Sequence, residues 1–390
     1  MRQATEKRTR TNGQGDTAMR LRKKTEESAQ KDLCTDQTKG KSKRLKRSKR
    51  LKRSKRLKGA KRIKKPKRTR KRMLVTGLII LLLVYIAGAN FLVNAALVPS
   101  TMEKLDAFSR ITQDSMEALV HTDDIQQQNE KAWSDTEAWA ANAHGQKLTR
   151  TTQDGYELIA QEVYTEEESH KWVLLLHGYT GWKEAMYPFA SWYNQRGYHV
   201  IVPDMRCQGE SEGDFIGMGW TDRIDNMLWI DYILEQDPQA QIVLHGQSMG
   251  AACALMMTGE ELPDNVKMVV SDCAFTDAYT MFGEKMKEWF HLPEFPILDT
   301  ANLMLQMRGG YDLKDASALN AVKESSTPTL FIHGDQDEMI SVEMSKELYE
   351  AAACPKELLI VEGAGHAQSQ DKDPEGYYGA IEKFLEEYID

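Results

Sequence analysis

The chain has 390 residues, enough for more than one compact unit, and its formal net charge of −7 hides two opposed segments. Residues 1–72 hold 31 Lys+Arg against 6 Asp+Glu, which leaves 20 basic and 52 acidic residues for the rest. The basic part suits an anionic surface and the acidic part excludes one. The five cysteines form no CxxC pair and no dense framework, which argues against a cysteine zinc site or a disulfide scaffold.

The basic segment carries a six-residue repeat. Ser42-Lys43-Arg44-Leu45-Lys46-Arg47 recurs from Ser48 and nearly again from Ser54. Such charge density cannot build an apolar core, so the spacing predicts a disordered tail at 1–72. Its expected partner is the anionic inner leaflet of a membrane, at about 1 kcal/mol per basic residue near the surface. No aromatic residues interleave for base stacking, so nucleic acid is not expected.

Met73 to Val98 is a run of 26 residues without a charge. About 20 apolar residues span a bilayer as a helix. A cleaved signal peptide has a shorter apolar core behind a short leader, so an uncleaved anchor over 73–98 is the preferred reading. The Lys/Arg excess before the run predicts a cytoplasmic N-terminus and an extracytoplasmic C-terminal part at the cell membrane. Residues 99–145 are polar with helical spacing and read as a stalk or linker.

From Gln146 the pattern changes. Gln146–Thr152 and Glu157–Tyr164 read as strands joined at Asp154-Gly155, a hairpin signal. Strands then alternate with helices: Trp172–Leu176, helix 183–196, His199–Pro203, helix 221–235, Gln241–His245 and helix Met249–Met257. Strands Val266–Ser271, Thr329–His333 and Glu357–Val361 follow, then a closing helix Glu375–Tyr388. Short continuous apolar strands between helices predict a mostly parallel α/β sheet covered on both faces. Sites on such sheets lie at the carboxyl ends of the strands.

The chemistry-bearing residues sit at those ends. Gly246-Gln247-Ser248-Met249-Gly250, between a strand and an Ala-rich helix, fits the G-x-S-x-G nucleophile elbow. Ser248 needs a base to become nucleophilic. His366, in the Gly-rich stretch 362–367 after the last strand, is the candidate. His177, His245 and His333 each precede a glycine at a strand end, a structural position. The orienting acid lies between the two in this chain order, in Phe331-Ile332-His333-Gly334-Asp335-Gln336-Asp337. Asp337 is favoured, and Asp335 reads as a turn residue bonding its own backbone. The expected oxyanion donors are the backbone N–H groups of Met249 and Tyr179, the latter in His177-Gly178-Tyr179-Thr180-Gly181.

These motifs, with Pro203 to Ser211 and Ser271-Asp272-Cys273-Ala274-Phe275, resemble bacterial α/β-hydrolases of the serine aminopeptidase S33-like or lysophospholipase-like type. The resemblance covers about 146–390 and implies the α/β-hydrolase fold, hydrolysis through an acyl-enzyme, and no metal or organic cofactor. It also implies that an insertion at about 276–326 forms a small helical cap over the site. Two positions depart from the pattern: Arg206-Cys207-Gln208-Gly209 stands for Arg-Gly-His-Gly, and Ser341 stands for a proline. Both are expected to bear on selectivity. A Met-rich, apolar cap suits acyl chains, and packing of two helices on the core accounts for the same residues. Hydrolysis of a small-molecule or lipid ester is the leading expectation. Peptidase or amidase activity and an inactive surface binding module remain open beside it.

Overall fold

Alternating apolar strands and helices leave the chain one economical solution, a sheet buried on both faces. The computed structural model describes residues 67–102, 136, 139–140, 143–166 and 168–390. Residues 1–66 of the repeat-bearing tail and most of the expected stalk lie outside the described residues, and 67–72, expected in the disordered tail, are helical. The chain divides into two units, 1–78 and 79–390. A long apolar helix, α1 (Lys67–Leu97), starts in the first and ends in the second.

In the second unit eight strands form one sheet in the order β1-β2-β4-β3-β5-β6-β7-β8. Strands β1 (Gly145–Thr151) and β2 (Glu157–Val163) form the expected hairpin, with Leu148 opposite Ala160. Strand β2 is antiparallel to β4 (His199–Pro203). From β4 onward the sheet is parallel through β3 (Lys171–Leu176), β5 (Gln241–Gln247), β6 (Val266–Asp272), β7 (Thr329–Gly334) and β8 (Lys356–Val361).

The strand period of two divides the core. On one face Trp172, Leu174, Leu176, Ile242 and Leu244 pack with α3 (Trp220–Gln236), α4 (Met249–Met257) and α7 (Ala318–Glu324). On the other, Val173, Leu175 and Val243 pack with Phe189 and Tyr193 of α2 (Tyr187–Asn194) and with Tyr377, Ile381 and Phe384 of α9 (Pro374–Tyr388). Each such fully buried side chain contributes about 1.5–3 kcal/mol. Four cysteines, Cys207, Cys253, Cys273 and Cys354, are free thiols.

Three expectations need correction. The helix expected over 183–196 is a short 3₁₀ turn, Lys183–Met186, followed by α2, where Pro188 suits the first helical turn. Helix α8 (Val342–Ala351) was not anticipated, although Met344 and Leu348, four apart, are buried on one face; it is capped by the Ser341 side chain. The cap is smaller than 276–326. Asp277 and Ser317 pair in an antiparallel bridge that closes the insertion at its neck. Inside it lie α5 (Ala278–Phe290) and α6 (Glu294–Gly309), whereas α7 packs on α4 as part of the main layer.

Helix α1 changes character along its length. Met73 to Val84 is mostly exposed, including Leu74, Leu81 and Val84. Ala89, Val93 and Leu97, spaced by four, are buried, and the last two join the core cluster on the α4 face. The hydrolase-like core therefore begins near Val93 rather than at 146.

Candidate active site

Residues 246–250 fold as a strand-to-helix elbow because nothing larger than hydrogen fits at its flanks. A Cβ on Gly246 would lie 2.2 Å from the Gly250 carbonyl oxygen, and one on Gly250 would lie 2.0 Å from the Leu176 oxygen of β3. The turn forces Ser248 to φ 56°, ψ −118°, a strained conformation for a non-glycine residue. Its N–H donates to the Asp272 carbonyl at 2.8 Å, which fixes the elbow to β6.

The three side chains singled out from sequence meet at this edge. Ser248 Oγ lies 2.9 Å from His366 Nε2, and His366 Nδ1 lies 2.7 Å from Asp337 Oδ2. Because a carboxylate only accepts, Nδ1 carries the proton and Nε2 is left to accept from the serine hydroxyl. Asp337 is almost wholly buried. Its Oδ1 accepts the N–H groups of Met339 and Ile340, both at 2.8 Å. Burial alone would push its carboxyl up. The hydrogen bonds from His333 and His366 outweigh that and hold it well below the usual carboxylate range.

Asp335 serves the same loop differently. Its Oδ1 accepts from Gly363 N–H at 2.6 Å, so it pins the segment leading to His366 instead of bonding its own turn.

The loop after β3 passes beside the nucleophile: a Cβ on Gly178 would sit 3.8 Å from Ser248 Oγ. Tyr179 follows Gly178 and Met249 follows Ser248, so each expected donor is the chain neighbour of one of these two closely approaching residues. As the first residue of α4, Met249 has an N–H without a partner four residues back. His177 is structural, as expected, bonded to the Gly178 carbonyl and receiving Met205 N–H at 2.9 Å. His245 is sandwiched between Tyr193 and Tyr377, and burial lowers its pKa to about 3.

Two residues named in the sequence reading, His333 as a structural histidine and Asp272 within the motif 271–275, make contacts it did not foresee. His333 lies behind Asp337, with Nε2 3.1 Å from Asp337 Oδ2 and 2.8 Å from the Ile340 carbonyl, while Nδ1 lies 2.6 Å from Ser345 Oγ. With two pure acceptors at Nε2, that nitrogen holds the proton and the imidazole supports the acid. Asp272, at the end of β6, is fully buried. It accepts from Gln247 Nε2 at 3.1 Å and the Tyr377 hydroxyl at 3.3 Å, and burial pushes its carboxyl up to about 6. The signal for Asp272 was an acid closing an apolar strand. For His333 there was none, because its partner Ser345 sits on the unanticipated α8.

In the stretch Arg206 to Gly209, the Cys207 thiol donates to the Gly213 carbonyl at 3.3 Å and the buried Gln208 side-chain amide has no hydrogen-bond partner among the described residues, while the flanking Arg206 anchors the loop. Arg206 Nε bonds Asp225 at 2.6 Å and its NH2 bonds Asp154 at 3.0 Å, tying the loop after β4 to α3 and the β1–β2 turn. Beside it, Lys183 Nζ is 2.8 Å from both Asp204 and Glu210. Cys273, Asp337 and His366 bring ligand-type atoms within 4.8 Å of one another. Burial keeps the Cys273 thiol protonated and Asp337 is committed to His366, so the trio does not present a set of free anionic ligands to a cation.

A family model described as the alpha/beta hydrolase fold matches residues 171–295. The uncharacterized protein YqkD of Bacillus subtilis is 27% identical over 237 residues, covering 60% of this chain and 77% of that one. A carboxylesterase of the same organism is 23% identical over 254 residues, covering 59% and 98%. Among solved structures, the Pyrococcus furiosus esterase Pf2001 superposes with a TM-score of 0.53 at 22% identity, covering 64% of this chain and 94% of that one. With the strand order above, these likenesses give the chain the α/β-hydrolase fold.

Proposed function

We propose that the chain is a membrane-anchored serine hydrolase that cleaves carboxylic esters, of the lysophospholipase-like or S33-like kind. The observation that carries this reading is the continuous line Ser248 Oγ, His366 Nε2, His366 Nδ1, Asp337 Oδ2, with links of 2.9 and 2.7 Å at the carboxyl edge of the sheet.

In this reading Ser248 Oγ attacks the ester carbonyl while His366 Nε2 takes its proton. Asp337 holds the imidazole tautomer and stabilises the imidazolium. The N–H groups of Met249 and Tyr179 stabilise the oxyanion, each worth about 3–4 kcal/mol in the transition state. His366 returns the proton to the leaving alcohol, and water then repeats the sequence on the acyl-enzyme to release the acid. The apolar α1 serves as the anchor, since Lys71–Leu97 is long and apolar enough to cross a membrane. The basic segment before it favours a cytoplasmic N-terminus and places the hydrolase outside.

A fluorophosphonate probe tests the nucleophile: the wild-type chain labels and Ser248→Ala does not. A panel of p-nitrophenyl esters and aminoacyl amides tests the bond type. Absence of labelling on folded protein sinks the enzyme reading, and turnover of amides alone sinks the esterase reading. Protease added to intact cells should degrade the hydrolase, and full protection contradicts the orientation.

A further inference from the structure

We propose that the outer face of α6 in the cap, carrying Phe295, Leu303 and Met307, is a membrane-seating surface that lies in the lipid interface beside α1. The inference rests on α1 being a membrane anchor, and it adds a second, specific contact between the hydrolase itself and lipid.

Helix α6 is apolar on two sides. Leu298, Ala301, Asn302 and Leu305 form its buried face. On the opposite face, Leu303 is 50% exposed and Met307 72%, and Phe295 just before the regular helix is 77% exposed. The flanks of that face carry Asp299, Gln306 and Arg308, so the apolar stripe is bounded by polar side chains. Large exposed apolar residues grouped on one face mark an interaction site.

The position of that face identifies its occupant. The Tyr85 hydroxyl of α1 donates to the Pro296 carbonyl at 2.7 Å and lies 2.8 Å from Thr300 Oγ1. Residues 296, 300, 303 and 307 follow helical spacing, so the stripe that α1 touches continues into Leu303 and Met307. Arg308 reaches Asn90 of α1 at 2.7 Å and holds the far end of α6 to the same helix. Phe91 of α1 is itself 45% exposed.

Helix length then sets the depth. A hydrocarbon core of about 30 Å needs roughly 20 residues at 1.5 Å each. Counting from Met73, after the last basic residue Arg72, a stretch of that length ends near Leu92. It therefore includes Tyr85 and Asn90, the residues bonded to α6, about 10 Å and about 3 Å short of its outer end at about 1.5 Å per residue. If α1 spans, the face of α6 beside it enters the outer part of the hydrocarbon. An apolar stripe there is stabilised by the lipid it meets.

The test uses the full chain in vesicles of phosphatidylethanolamine and phosphatidylglycerol. Cys34 and Cys207 are replaced by Ser, and a fluorophore sensitive to its surroundings is attached at Leu303→Cys or, separately, Met307→Cys. Fluorophosphonate labelling of Ser248 confirms a folded site in each. Quenching by lipids with brominated acyl chains, with protection from aqueous iodide, is expected. Quenching by iodide alone overturns the proposal, because the face then meets water. Shielding from both quenchers also overturns it, because protein then covers the face. Carbonate extraction of the wild-type chain separates the two readings: release from the vesicles removes the anchor and this proposal together, whereas retention with iodide quenching removes the seating surface alone.

Discussion

The Tyr179 hydroxyl donates a hydrogen bond to the backbone carbonyl of Ala96, 83 residues earlier. One residue on, the Leu97 carbonyl accepts from Ile216 N–H at 2.9 Å. The last carbonyls of a helix have no partner within it. Here two of them are satisfied by the hydrolase, one by the residue proposed to line the oxyanion site. The end of α1 is thus a structural part of the active-site wall.

Tyr179→Phe removes that hydroxyl and keeps the ring and the backbone N–H. Losing one buried hydrogen bond costs about 1 kcal/mol. If the bond positions the loop after β3, kcat falls roughly fivefold on that figure while fluorophosphonate labelling of Ser248 persists. An unchanged kcat would show that the oxyanion loop holds its place without α1.

Leu97→Ala tests the packing of the same helix end. Leu97 is buried in the core cluster with Leu298, Leu305 and Met249. A buried Leu→Ala change costs about 2–5 kcal/mol, so thermal inactivation should move to clearly lower temperature. Leu82→Ala, on the exposed stretch of α1, should leave it unmoved. A chain that starts at residue 99 lacks Val93 and Leu97 altogether and should be less stable and less active than one that starts at 85.

Asp337→Asn keeps the shape of the acid and loses its charge. The amide presents a donor as readily as an acceptor to His366 Nδ1, so the tautomer is no longer fixed. A loss in kcat of about four orders of magnitude is expected, with KM changed far less. A loss below tenfold would move the role of acid elsewhere, with Asp272 the next carboxylate to test.

The elbow, the acid loop and the base loop were legible because each is a local pattern. Gly246, Ser248 and Gly250 need one strand and one helix around them, and Asp337 and His366 need only a strand end before them. What the sequence concealed depends on distant contacts. The partition of α1 into an exposed half and a buried half is invisible in a run of 26 uncharged residues, since lipid and a protein core select the same side chains. The expected cap ran on to 326 because no strand separates α7 from α6, and only the packing of α7 on α4 assigns it to the main layer.

His333→Phe tests support for the acid. Asp337 has a folded-state pKa below its unfolded value, so the folded chain binds fewer protons there. Its contribution to stability is complete above the unfolded pKa, about 3.9, and is lost as pH falls through the folded value. Removing His333 takes away one of the two histidine hydrogen bonds that depress the carboxyl. Acid inactivation of the folded chain should therefore begin at higher pH in the variant, with KM at neutral pH near its original value. An unmoved onset of acid inactivation would reduce His333 to a packing residue.

Asp222 has the opposite sign. It is wholly buried near the start of α3 and accepts from Gly219 N–H at 2.9 Å through one oxygen, while its other oxygen has no partner. Burial pushes its carboxyl up to about 7, and the neighbouring charge of Asp225 adds to the rise. A folded pKa above the unfolded one means that the folded chain holds the extra proton, so stability from this group declines as pH rises from about 4 to about 7. Above pH 7 the full cost of a buried charge is present. Asp222→Asn can still accept from Gly219 and never ionises. Thermal inactivation of the detergent-solubilised chain, compared at pH 5 and pH 8, should therefore depend less on pH in the variant, with the gain confined to pH 8. Equal losses in both proteins between the two pH values would place the ionisation at another group.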